Sequence, residues 1–138
     1  MVGILIIAHG TLGESLIHCA SHVLNKRPAR LKQLGLTAQD DPLLLLPQAR
    51  ALVKELDDGS GVLILSDMYG GSPANIGAKL VIPGRVEGVA GVNLPMLIRA
   101  LTYREKSLAL LVTKAVSGGC EGVLRIPPLA LHNAATGS

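Results

Sequence analysis

Two residues at the ends of apolar runs carry the chemistry that this sequence offers. Ile4-Leu5-Ile6-Ile7-Ala8-His9-Gly10 stops on a histidine and a glycine, and Val62-Leu63-Ile64-Leu65-Ser66-Asp67 stops on an aspartate. A carboxylate that accepts a hydrogen bond from one imidazole nitrogen fixes the tautomer. It leaves the lone pair of the other nitrogen free as a nucleophile. The same carboxylate stabilises the cationic ring that forms when phosphorus is attacked. Directly after Asp67 the chain reads Met68-Tyr69-Gly70-Gly71-Ser72-Pro73. Paired glycines let a backbone approach a ligand closely. A helix start offers unpaired N–H groups and partial positive charge, which suits a phosphoryl group. His9 and Asp67 are therefore the candidate catalytic residues, and Gly10, Gly70, Gly71 and Ser72 the candidate phosphate-binding residues.

The other reactive side chains fit this chemistry less well. His18 and His22 stand at i, i+4, a metal-pair spacing, but no carboxylate completes a ligand set and they read as a polar helix face. No metal site and no cofactor is expected. No lysine follows the glycines in the Walker pattern, which disfavours an ATP-binding loop. Cys19 and Cys120 belong to no CxxC pair and read as reduced thiols.

The elements that must position His9 and Asp67 follow from periodicity. Val2 to Ala8 is continuously apolar, as in a strand buried on both faces of a parallel sheet. Leu12 to Leu24 has helical spacing, and Pro28 marks its end. Leu31 to Leu36 reads as a second strand. Asp40 or Asp41 can cap a helix with Pro42 near its first position. Pro47 limits the regular part of that helix to Pro47–Leu56, and Gly59-Ser60-Gly61 closes the segment. Val62 to Ser66 is the third strand, and Ser72-Pro73 starts a helix to about Leu80, with the serine as its cap. Val86 to Val92 is a strand and Leu94 to Tyr103 a helix. A last helix runs from Leu108 to Val116, closed by Gly118-Gly119, and Gly122 to Ile126 is a final strand. Strands alternating with helices imply an α/β fold with a doubly wound, mainly parallel sheet. In such a sheet the carboxyl ends of neighbouring strands form the site.

Composition bounds the function classes. A chain of 138 residues is one domain with enough material for a core. With 49% hydrophobic residues but two tyrosines, no Phe and no Trp, that core is built from Leu, Val, Ile and Ala. The net charge of +3 is modest, and Lys26, Arg27, Arg30 and Lys32 form the only basic cluster. Without aromatics to stack on bases, nucleic acid is not the expected partner. The cluster reads as a solvated face, with an acidic docking partner as the alternative. The amino terminus lacks a basic n-region, and its apolar run of about six residues is too short for a signal peptide. No run approaches the ~20 residues of a membrane span. A cytoplasmic protein is expected.

The motifs resemble those of a known family. Ile4 to Gly10, Gly61 to Asp67 with Gly70-Gly-Ser-Pro-Ala-Asn75, Val89-Ala-Gly-Val-Asn-Leu-Pro-Met-Leu97 and Glu121-Gly-Val123 are similar to the IIA domain of the mannose-type (mannose/fructose/sorbose) branch of the bacterial phosphoenolpyruvate-dependent sugar phosphotransferase system. The likeness covers residues 1 to about 126, leaving 127–138 as a tail. It implies that His9 accepts a phosphoryl group from the phosphocarrier HPr and passes it to a IIB component, for sugar uptake or regulation. Asp67 falls on the family's aspartate partner of that histidine, and Ser72 on its helix-start serine. It further implies a homodimer that exchanges its carboxyl-terminal strand, here Gly122 to Ile126, and contact with a membrane only through a permease complex. Tyr69 stands where the family usually has tryptophan, and Lys26-Arg27-Pro28 replaces a glycine-containing turn. Two other roles fit the same residues: a regulator that binds partners according to its phosphorylation state without onward transfer, and the phosphoryl donor domain of dihydroxyacetone kinases.

Overall fold

The computed structural model describes residues 1–129. From residue 130 onward the expected tail, with His132, lies outside the described residues. The order of elements is β1 (Gly3–His9), α1 (Leu12–Leu24), β2 (Leu31–Leu36), α2 (Pro42–Leu56), β3 (Val62–Ser66), α3 (Ser72–Leu80), β4 (Val86–Ala90), α4 (Leu94–Tyr103) and α5 (Leu108–Glu121). The four strands form one sheet in the order β2-β1-β3-β4, all parallel.

The apolar runs become central strands because side chains alternate between two covered faces. Ile4, Ile6, Ala8, Leu63 and Leu65 pack with Ile17 of α1, Leu97 of α4 and Leu111 of α5. Leu5, Ile7, Val62 and Ile64 pack with Ala49 and Leu56 of α2 and Ile76 and Leu80 of α3. Every residue of β1 before His9 is buried. Burying one such Ile or Leu contributes about 1.5–3 kcal/mol, so a polar substitution within β1 or β3 would cost more than any surface change.

The chain leaves β1 in one direction along the sheet to form β2, and the other to form β3. The reversal point of the strand order lies between β1 and β3, and there the two reactive strand ends meet. Arg104 ties down the opposite end of the sheet. It is 6% exposed and donates to the carbonyls of Val2, Ala29 and Arg30.

Several boundaries differ from the sequence reading. Helix α2 has the expected cap, with the Asp41 carboxylate accepting from the Leu43 N–H at 3.0 Å and Pro42 first in the helix, but it is regular from Pro42 onward and not only over Pro47–Leu56. Pro47 sits inside it, within its first two turns, and does not start it. Strand β4 ends at Ala90, two residues earlier than expected. Ser72 does not cap α3: Gly71 holds the cap position, Ser72 is the first helical residue, and no side-chain cap bond forms.

Gly118-Gly119 does not close α5, because the helix continues through both to Glu121. A Cβ on Gly118 would lie 2.8 Å from Arg99 Cβ, and one on Gly119 2.7 Å from Met96 Cε. The glycines are there so that α5 can press against α4, and that packing outweighs their poor helix propensity. Gly122–Ile126 forms no strand within the chain. Gly122 ends α5, and Val123, Leu124 and Ile126 are exposed without a neighbouring strand.

Candidate functional site

His9 is the last residue of β1, and Asp67 is the first after β3. The β1–β3 register pairs Ile7 with Ser66, so the two chains part just where these side chains emerge. The Asp67 carboxylate turns back across the gap. Its Oδ2 accepts from the His9 backbone N–H at 3.0 Å and lies 2.7 Å from His9 Nδ1.

The two groups differ in exposure. The Asp67 side chain is 11% exposed and that of His9 52%. Burial pushes the Asp67 carboxyl up, but the hydrogen bonds from the His9 backbone and ring outweigh it and hold the group below its ordinary value. Asp67 is thus ionised at neutral pH and can only accept. An Nδ1–H therefore donates to it, and in the neutral form of the ring this leaves the lone pair on Nε2.

The glycine-rich turn packs against this ring. A Cβ on Gly71 would lie 3.2 Å from His9 Cε1, so the start of α3 meets the edge of the imidazole between its two nitrogens. Gly70 takes a left-handed conformation at φ +86°, which brings the chain round to the helix. In the first turn of α3, Ser72 and Ala74 bring N–H groups that an α-helix cannot pair internally, while Pro73 has none to leave unpaired. Such a turn, next to a free imidazole nitrogen, can hold an oxyanion. Gly10 also stands at this edge, at φ +56°, with its N–H donating to the Leu36 carbonyl. The structure therefore brings His9, Asp67, Gly10, Gly70, Gly71 and Ser72 to one edge of the sheet.

His18 and His22 lie on α1, His22 in its last turn. Cys19 and Cys120 are both exposed. Within the basic cluster, Lys32 pairs with Glu55 at 2.6 Å and Arg30 donates to the Leu56 carbonyl.

Two features near the site were not read from the sequence. A cavity of about 280 Å³ lies between the first turns of α2 and α3, lined by Pro42, Leu43 and Leu46 on one side and Ser72, Asn75 and Lys79 on the other. A second, of about 290 Å³, runs from Tyr69 and Gly70 along α3 to Gly88 and Ala90 of β4. Tyr69 is 90% exposed and Leu44 77%. The Leu43–Leu46 run was the available signal, and limiting the regular helix to Pro47–Leu56 left that run out of it.

The model of the PTS system fructose IIA component family matches residues 3–116. The mannose-specific EIIAB component of Escherichia coli (strain K12) is 32% identical over 137 residues, which is 97% of this chain and 42% of that protein. The chain thus spans less than half the length of that relative. Among solved structures, the mannose/sorbose specific IIA subunit from Enterococcus faecalis superposes with a TM-score of 0.82 at 24% identity, over 92% of this chain and 96% of that one. The EIIA component from Streptococcus agalactiae gives a TM-score of 0.80 at 22% identity, over 91% and 97% of the two chains. These two likenesses concern the fold. Among the described residues no helix is long and apolar enough to cross a membrane.

Proposed function

Since this chain belongs to the fructose IIA component family of the sugar phosphotransferase system, we propose that it carries a phosphoryl group on Nε2 of His9. The observation that carries this reading is the pair of contacts from Asp67 Oδ2 to the backbone N–H and Nδ1 of the same histidine. The donor is phospho-HPr and the acceptor a IIB component.

In the forward step the Nε2 lone pair attacks the phosphorus of the donor's phosphohistidine. The N–P bond of the donor breaks as the new N–P bond forms, and the donor imidazole keeps the electron pair. The ring of His9 becomes cationic, with Asp67 beside Nδ1 to offset that charge. The N–H groups at the start of α3, Gly71 and the Ser72 hydroxyl face the phosphoryl oxygens. The reverse geometry serves transfer to the acceptor.

We also propose that two copies associate through the segment 122–129. Apart from one bridge between Ile82 and Val86, the outer edge of β4 has no partner among the described residues. The same chain exposes Val123 at 74%, Leu124 at 80% and Ile126 at 89%. An unpaired edge and an unpaired apolar segment in one molecule are complementary between two, and exchange of such an element is a low-cost route to a dimer.

The test is intact mass after incubation with phosphoenolpyruvate, enzyme I and HPr. The chain should gain one phosphate, labile in acid and stable in base as a phosphoramidate is. An acid-stable product would point to serine and overturn the assignment. Onward loss of the label to a IIB protein distinguishes a transfer protein from a regulator that only holds it.

A further inference from the structure

We propose that Gly35, next to the carboxyl end of the chemically silent strand β2, is a positioning residue that sets the aim of His9. In the β1–β2 register Ala8 pairs with Gly35 and His9 with Leu36. Just beyond, the Gly10 N–H donates to the Leu36 carbonyl at 2.6 Å, and Gly10 turns the chain at φ +56° toward α1. That turn carries the Gly10 carbonyl directly over Gly35. A Cβ on Gly35 would overlap the Gly10 carbonyl oxygen and stand 3.4 Å from its carbon. The nearest obstacle is backbone, which cannot swing away as the end of a side chain could. Any side chain at 35 must therefore push the turn off β2, and His9 is the residue the turn leaves from.

His9 has little tolerance for such a shift. Its backbone N–H and its Nδ1 both address the single oxygen Oδ2 of Asp67, at 3.0 and 2.7 Å. The two contacts fix backbone and ring together. Moving the turn lengthens one or both, and releases the tautomer that leaves Nε2 free. A misplacement of about 1 Å at a reacting group can cost on the order of 10²-fold in rate.

Gly3 is the natural control. A Cβ there would also overlap backbone, the Leu56 carbonyl oxygen, but at the far end of the same strand β1. Gly3→Ala should weaken the fold without touching the aim of His9.

The experiment compares the whole chain with Gly35→Ala and Gly3→Ala. The readouts are melting temperature, the proton resonance of His9 Nδ1–H with the pH titration of that ring, and kcat and KM for phosphoryl acceptance from phospho-HPr. Gly35→Ala should shift or broaden the Nδ1–H resonance and lower kcat on the order of 10²-fold, with KM nearly unchanged. Gly3→Ala should lower the melting temperature and leave resonance and kcat as in the parent. An unaltered resonance and rate in Gly35→Ala overturn the proposal, and so does an equal loss in both variants.

Should Gly35→Ala not fold, the same turn is tested from its other side. Nothing lies within 4 Å of a Cβ on Gly10, so a side chain there meets no clash at its Cβ, but valine resists the positive φ that asparagine accepts. Valine should reproduce the shifted or broadened Nδ1–H resonance and asparagine should keep the parent resonance; an unaltered resonance in Gly10→Val rejects the idea. The kinetic readout rests on the phosphohistidine reading, but the resonance does not. A parent protein that takes up no phosphate defeats that reading and leaves the positioning test intact.

Discussion

Asp67 Oδ2 meets His9 twice, at the backbone N–H and at Nδ1, across the gap where β1 and β3 part. One contact to the ring alone would orient the imidazole about a free backbone. The second anchors the backbone, so that strand end and ring form one rigid unit. The carboxylate is also the less exposed partner, at 11% against 52%, so it holds Nδ1 from the buried side and leaves Nε2 without a partner in this pair.

Replacing His9 with alanine should abolish uptake of phosphate from phospho-HPr. His18→Ala and His22→Ala, on the face of α1, should leave it intact. Intact mass reads the outcome, and full labelling of His9→Ala would sink the assignment.

Asp67→Asn keeps the size of the side chain but replaces an obligate acceptor with a group that can also donate. The analogous change in a serine protease triad costs ~10⁴-fold. A smaller loss, on the order of 10²-fold, is expected here, because the donor already supplies an activated phosphoryl group. Rapid-quench transfer rates measure it; a rate equal to the parent's removes Asp67 from the mechanism.

The lowered pKa of Asp67 makes part of the stability depend on pH. Its folded-state value lies below the unfolded value of about 3.9. The stabilisation is therefore complete above the unfolded value and disappears as pH falls through the folded one. Melting curves of the parent and Asp67→Asn should differ by a constant amount from neutral pH to about 5 and converge below about 4. A gap that persists unchanged into strong acid contradicts the account.

Removing residues 122–138 leaves α5 whole and takes away the exposed Val123, Leu124 and Ile126. The product should be monomeric or poorly soluble, with the edge of β4 left bare. Removing only 128–138 should preserve both dimer and phosphorylation. Light scattering after chromatography decides, and a well-behaved dimer after the longer deletion rejects exchange of this segment.

Arg104→Leu should destabilise the fold on the order of 3 kcal/mol, since it strands the carbonyls of Val2 and Ala29 and leaves that of Arg30 with only the Ile4 N–H. Burial lowers the guanidinium pKa from its ordinary value, yet an arginine stays charged. The loss should therefore be nearly independent of pH between 5 and 9. Denaturant titrations across that range check it.

The sequence by itself determined the strongest elements and the reactive groups. A run such as Ile4 to Ala8, apolar on both faces, has no stable place except inside a covered parallel sheet. A histidine or aspartate closing such a run must emerge at the sheet edge. Helices α1 and α4 were likewise legible from spacing alone, because local periodicity dictates the face they bury. What only the tertiary structure decided involves residues distant in the chain. The contacts between His9 and Asp67 span 58 positions and exist because β1 and β3 became neighbours. Gly118 and Gly119 read as a stop but lie within a helix, because close packing on Arg99 and Met96 overrides a propensity penalty of about 1 kcal/mol each. The apolar segment after Gly122 reads as a strand, yet a strand exists only beside another, and among the described residues this segment lies beside none. Gly35 carried no signal at all, because the atom that forbids a side chain there belongs to Gly10, brought over it by the turn that ends β1.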